Sequence, residues 1–124
     1  MPAHRHLDAF LKEAAKSGKG HEYVRFPGFK SLYVRYVTRY IAGEFIHPVI
    51  DLANLEAKSP GKGAFGELHS HLRLNYPECW LYVENVLNPR FAKKLLKMGY
   101  TSQPIGMSEC FYMPSVQMRM MYEQ

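Results

Sequence analysis

Residues 49–76 constrain the fold of this chain more tightly than any other stretch. An apolar run over 49–57 predicts a strand. The sequence then breaks sharply at Ser59-Pro60-Gly61-Lys62-Gly63, and a helical stripe through Phe65, Leu68, Leu72 and Tyr76 covers 63–75 and stops before Pro77. A strand, a glycine-rich loop and a helix in that order direct the unpaired N–H groups of the helix, and the positive end of its dipole, at whatever occupies the loop. Such an end favours a phosphate or pyrophosphate, glycine lets the backbone approach its oxygens, and Lys62 adds positive charge. The plain alternative is a strand-to-helix turn carrying a solvated lysine. No Gly-Lys-Ser/Thr follows, which excludes a Walker A loop, and the third glycine of a dinucleotide fingerprint is missing.

The rest of the chain supplies helices and strands in alternation. Leu7, Phe10, Leu11 and Ala14 recur at helical spacing over 7–17, a pattern ended by Ser17-Gly18-Lys19-Gly20. A short strand over 22–26 precedes Pro27-Gly28. Residues 31–41 alternate as a strand, with Leu32, Val34, Tyr36, Thr38 and Tyr40 on one face and Tyr33, Arg35, Val37, Arg39 and Ile41 on the other. Gly43 allows a turn, 44–47 reads as a further short strand, and Pro48 opens the strand 49–57. Residues 79–84 alternate again. Asn88 then caps a helix over 88–98, with Pro89 at its first position and Gly99 beyond its end. Strands at about 100–103 and 108–113 complete a single domain over 1–113, and a methionine-rich tail follows over 114–124. Helices interleaved with strands predict an α/β fold around a mixed sheet.

Composition narrows the classes of partner. Sixteen Lys and Arg stand against eleven Asp and Glu, a formal charge of +5 over 124 residues. This balance permits anionic partners without selecting one. Cys79 and Cys110 form no CxxC pair, so a reducing compartment, the cytoplasm, is expected. No apolar run reaches the ~18 residues of a membrane span, and the N-terminus lacks the apolar stretch of a signal peptide.

Two blocks, 49–68 (VIDLANLEAKSPGKGAFGEL) and 81–100 (LYVENVLNPRFAKKLLKMGY), taken together and in order, resemble the acyl-CoA-binding half of the GNAT superfamily of N-acyltransferases. The chain is short for that family, and in this it is similar to small phage-encoded members. The resemblance implies a mostly antiparallel mixed sheet flanked by helices and splayed between its two central strands. It implies acetyl-CoA as acyl donor, with the pantetheine arm along the strand edge at Leu55 and Ala57 and against Asn88. The pyrophosphate would then rest on Gly61, Lys62, Gly63 and Ala64. In the implied reaction an amine attacks the thioester, a base removes its proton, and a backbone N–H near Leu55 holds the oxyanion. Three positions depart from the family pattern: Pro60 and Phe65 in the loop, and Leu95 where a tyrosine acid is frequent. Tyr82, Tyr100 and Tyr112 are alternative acids.

Glu84, at the end of its strand, corresponds to a glutamate that serves as base in some branches of the family; the alternative is a solvated strand end. Asp51 lies in an apolar strand, by alternation on the face of Val49, Ala53 and Leu55. A carboxylate there is either functional or paired, with Arg35 and Arg39 as the available partners. Glu44 and His47 are lesser candidates. His69 and His71 are two residues apart on a helix and point to different sides, so no metal site is expected.

The expected function is therefore an acyl-CoA-dependent N-acyltransferase acting on a protein or small-molecule amine, with a second copy of the chain as a compatible partner. The alternative, motivated by Pro60, Phe65 and Leu95, is a GNAT-fold protein without catalysis that binds another protein. A nucleic-acid module built on the Tyr/Arg strand 31–41 is the third class, disfavoured because the positive charge is scattered.

Overall fold

The computed structural model describes residues 4–118. Its elements follow one another as α1 (Arg5–Ser17), β1 (Gly20–Tyr23), β2 (Phe29–Ile41), β3 (Glu44–Ala57), α2 (Ala64–Asn75), β4 (Trp80–Val83), α3 (Pro89–Lys97), β5 (Thr101–Ile105) and β6 (Ser108–Met113). The strands form one six-stranded sheet in the order β1-β2-β3-β4-β6-β5. Every neighbouring pair is antiparallel except β3 and β4, which run parallel through the α2 crossover. The fold is thus mixed α/β with a mostly antiparallel sheet flanked by helices, as expected. No helix among the described residues is long and apolar enough to cross a membrane.

Helical periodicity and strand alternation converge on one face of the sheet. Leu7, Leu11 and Ala14 of α1, Leu68 and Leu72 of α2 and Leu95 of α3 form a single buried cluster with Val34 of β2, Ile50 and Leu52 of β3, Val83 of β4 and Phe111 of β6. A second, smaller cluster lies on the opposite face and draws on strands alone: Ile41, Val49, Tyr82 and Cys110, with Val37, Ile46, Trp80 and Tyr112 packed against it. β2 keeps its predicted alternation, since Val34 and Tyr36 enter the first cluster while Val37 and Ile41 enter the second.

Two expectations about β3 are corrected. It is one strand from Glu44 to Ala57, not two, and Pro48 lies inside it behind a cis His47–Pro48 peptide. Pro48 falls where the register jumps from Val37↔Val49 to Arg39↔Ile46, so the ladder requires no N–H from it. The register shifts again between Tyr33↔Asn54 and Val34↔Leu52, leaving Ala53 as an extra residue on β3. A one-residue bulge inverts the alternation beyond it. Leu55 therefore packs on the helix-covered cluster opposite Leu32, and not on the face of Asp51 and Val49.

The first residues of the tail are docked. Arg73 Nη1 donates to Pro114 O at 2.6 Å, and the Gln117 N–H donates to Pro77 O at 3.2 Å. Met118 is described, whereas Met120 and Met121 lie outside the described residues.

Candidate functional site

The parallel ladder of β3 and β4 runs from Val49↔Trp80 to Leu52↔Val83 and ends with the Glu84 N–H donating to Leu52 O at 3.2 Å. Beyond this point the two chains part. Asn85 takes a left-handed backbone (φ 51°), and the next N–H, that of Val86, turns away to Glu109 O on β6 at 2.9 Å. Meanwhile β3 continues to Ala57, pairing with β2 alone through Leu55↔Leu32, Glu56↔Ser31 and Ala57↔Phe29. One edge of β3 at Leu55 and Ala57 is thus left without a ladder partner among the described residues. The N-termini of α2 and α3 follow the carboxyl ends of these same strands, the place where ligands bind in open α/β sheets.

The loop after β3 is shaped by Gly61 (φ 84°) and Gly63 (φ 85°), both left-handed, where a side chain would be strained. A Cβ at either position would meet nothing within 4 Å, so both face open space. No side chain caps α2 at Gly63, which leaves its first-turn donors, beginning with Ala64, uncapped. The Lys62 N–H is engaged by Ser59 O at 3.3 Å, but its side chain, with that of Lys58, lines a cavity of about 330 Å3 beside the loop. Glu67 lines it too, on the first turn of α2. Phe65 leaves the loop and turns into the core, its ring 5.0 Å from Phe91 in an edge-on contact. Asn88 caps α3: its Oδ1 accepts from the Arg90 N–H at 2.9 Å and the Phe91 N–H at 3.4 Å.

Across the sheet, on the face that carries no helical residues in its cluster, Asp51 and Glu84 come together around Arg39. Arg39 Nη1 is 2.8 Å from Asp51 Oδ2 and 3.3 Å from Glu84 Oε2, while Arg35 Nη1 is 3.7 Å from the same Glu84 oxygen. Asp51 is fully buried and its Oδ1 has no hydrogen-bond partner. Burial, together with the neighbouring Glu84 carboxyl, pushes the Asp51 acid up to about 8, against the pull of Arg39 and Arg35. Asp51 therefore holds its proton to a far higher pH than an ordinary carboxyl. The Arg39 guanidinium lies 4.1 Å from the centroid of the Tyr82 ring. Tyr82 Oη accepts from Gln103 Nε2 at 3.1 Å, and burial pushes its phenol up to about 12.

The remaining candidates lie elsewhere. Leu95 is fully buried in the first cluster. The Tyr100 hydroxyl is bonded to His69 Nδ1 at 2.8 Å, and Tyr112 stacks on Trp80. His69 and His71 diverge as their spacing predicts, His71 toward Asp8 on α1 at 2.8 Å. Glu44 and His47 are exposed, and His47 Nδ1 is 3.0 Å from Thr38 Oγ1. The residues that sequence reasoning did not single out are Arg39 as the bridge between both carboxyls, Asn85 as the point of divergence and Gln103 as the clamp on Tyr82. Arg39 alone had a signal, as one of the two arginines on the face of Asp51. No family model, no curated protein and no solved structure matches this chain.

Proposed function

We propose that this chain is an acyl-CoA-dependent N-acyltransferase of the GNAT type. The observation that carries the reading is the parting of β3 and β4 after Leu52 and Val83, which frees a β3 edge directly before the glycine loop. An extended pantetheine arm can pair with that edge as an added strand. Its diphosphate would meet the uncapped N-terminus of α2, with Lys58 and Lys62 beside it. The inward turn of Phe65 removes the bulk that would otherwise crowd this position.

In this reading Glu84 is the base, because it stands at the last rung of the ladder and its side chain is partly accessible. The amine nitrogen bonds to the thioester carbon, its proton passes to Glu84, the carbon–sulfur bond breaks, and the thiolate takes a proton from solvent. Asp51 is buried behind Arg39, so it acts as a positioning residue for Glu84 and does not touch substrate. Asn88 holds its helix with Oδ1 and has its amide group left to meet the pantetheine arm.

A thermal-shift measurement with acetyl-CoA, CoA and a single-stranded oligonucleotide tests the reading. A ligand at a hundredfold excess over its Kd stabilises the native state by about 2.7 kcal/mol, roughly 10 °C in a domain of this size. Shifts with both CoA species support the transferase. The burial of Leu95, where the family's acid is frequent, favours a second reading, a non-catalytic GNAT-fold protein that binds another protein; it predicts no shift with either CoA species. A shift with the oligonucleotide alone, lost in salt, would replace both readings.

A further inference from the structure

Above the Arg39 cluster lies a cavity of about 670 Å3, formed between the outer half of the β2–β3 hairpin and β5. Arg35 and Arg39 supply its charge, Val37 and Ile105 supply apolar wall, and Gln103 stands between. Gln103 is fixed at both ends: Oε1 accepts from the Ala42 N–H at 3.1 Å, and Nε2 donates to Tyr82 Oη at 3.1 Å. These two bonds tie β5 to the hairpin at Ala42 and to β4 at Tyr82, and give the cavity a fixed wall. Among the described residues no carboxylate lines it; Glu84 stands next to both arginines, 3.3 Å from Arg39 Nη1 and 3.7 Å from Arg35 Nη1. Arg39 is held by Asp51 and by the Tyr82 ring, so its remaining donors are positioned before any ligand arrives. A fixed guanidinium beside a second, more exposed one suits a carboxylate.

Glu84 joins this cavity to the gap between β3 and β4, since it contacts Arg39 with its side chain and closes the parallel ladder with its N–H. We propose that the cavity is the acceptor site, and that the acceptor is a small amine that carries its own carboxylate and an apolar body, the class of an apolar amino acid. Its carboxylate meets Arg35 and Arg39, its body lies against Val37 and Ile105, and its amine points to Glu84. The inference rests on the acyltransferase reading for the reaction, but the recognition of the carboxylate does not.

The test uses the whole chain and three sets of probes. L-phenylalanine, L-leucine and L-methionine carry all three features, phenethylamine and isoamylamine lack the carboxylate, and 3-phenylpropionate lacks the amine. Binding is followed by calorimetry without acetyl-CoA, and turnover by release of free CoA thiol. The amino acids should bind and turn over, the simple amines should be at least about tenfold poorer in kcat/KM, and 3-phenylpropionate should compete. Loss of a charge-assisted contact in Arg35→Met should raise KM by roughly 10–100-fold, leave the acetyl-CoA thermal shift unchanged and be partly rescued in Arg35→Lys. Arg35 is half exposed, so the variant should fold. An acetyl-CoA shift with no amino-acid binding, or simple amines turning over as fast as amino acids, overturns the acceptor assignment while the transferase stands. Amino-acid binding that is lost in Arg35→Met, with no response to either CoA species, overturns the transferase and keeps the carboxylate site. Silence in both arms overturns both.

Discussion

The Arg39 guanidinium sits 2.8 Å from Asp51 Oδ2 and 4.1 Å from the centroid of the Tyr82 ring, so one side chain holds a fully buried acid while it covers an aromatic face. Removing one partner of a buried pair leaves the other without compensation, an effect of ~3–5 kcal/mol when the remaining group must stay charged. Asp51 has an escape at low pH, where it is protonated. We expect Arg39→Met to destabilise the fold by about 3 kcal/mol near pH 8.5 and by distinctly less near pH 5.5, measured by urea unfolding at both values. An effect that does not change with pH would show that the arginine acts by packing alone.

The Asp51 acid itself makes a signed prediction. Its folded-state pKa is raised from 3.8 to about 8. Between those values the native state holds a proton that the unfolded chain has released, so the contribution of this group falls as pH rises and levels off above about 8. Asp51→Asn removes the titration but keeps an oxygen to accept from Arg39. The stability of the variant relative to the wild type should therefore improve steadily from pH 5 to pH 8. Taking the difference between the two proteins cancels other titrating groups, among them His69, whose pKa burial lowers. A difference that stays flat with pH would mean that Asp51 is ionised throughout.

Much of this arrangement is legible in residue order, and the illegible remainder has definite causes. The stripe of Leu7, Phe10, Leu11 and Ala14 and the Asn88-Pro89 cap give α1 and α3 to within about two residues, because helix burial and capping are local. The need for an arginine beside Asp51 is readable too, since a buried carboxylate in an apolar strand must be compensated. The face of Leu55 is not, because alternation carries only as far as the next bulge, and Ala53 bears no mark of being the extra residue. Nor is the meeting of Asp51 with Glu84, which depends on β3 and β4 pairing in parallel with Asp51 opposite Tyr82. The parting of the strands turns on Asn85, a residue type that tolerates the left-handed region but does not require it.

Phe65 separates a packing role from a ligand-binding one. It is buried in the first cluster and meets Phe91 edge-on at 5.0 Å. Truncation to alanine deletes most of a core aromatic and should lower stability by ~3–5 kcal/mol. Because the ring points away from the glycine loop, the additional stabilisation given by acetyl-CoA should match that of the wild type when both are compared below their own midpoints. A ligand response that vanishes in Phe65→Ala while the protein is still folded would place the ring at the cofactor.

Gly63 gives the sharpest test of where the diphosphate lies. Any side chain here must accept φ near 85°, at a cost of about 1–2 kcal/mol for an ordinary L-residue. Asparagine tolerates that region better, so Gly63→Asn isolates the backbone effect from the effect of charge. Gly63→Glu adds a carboxylate where nothing lies within 4 Å to divert it. Like charges about 4 Å apart oppose each other by ~4 kcal/mol at an effective dielectric of about 20, less at an exposed loop. The Asn variant should keep its acetyl-CoA shift to within a few degrees, and the Glu variant should lose at least about tenfold in affinity, recovered in part at high salt. Equal binding by both variants would move the diphosphate off this loop and take the cofactor placement with it.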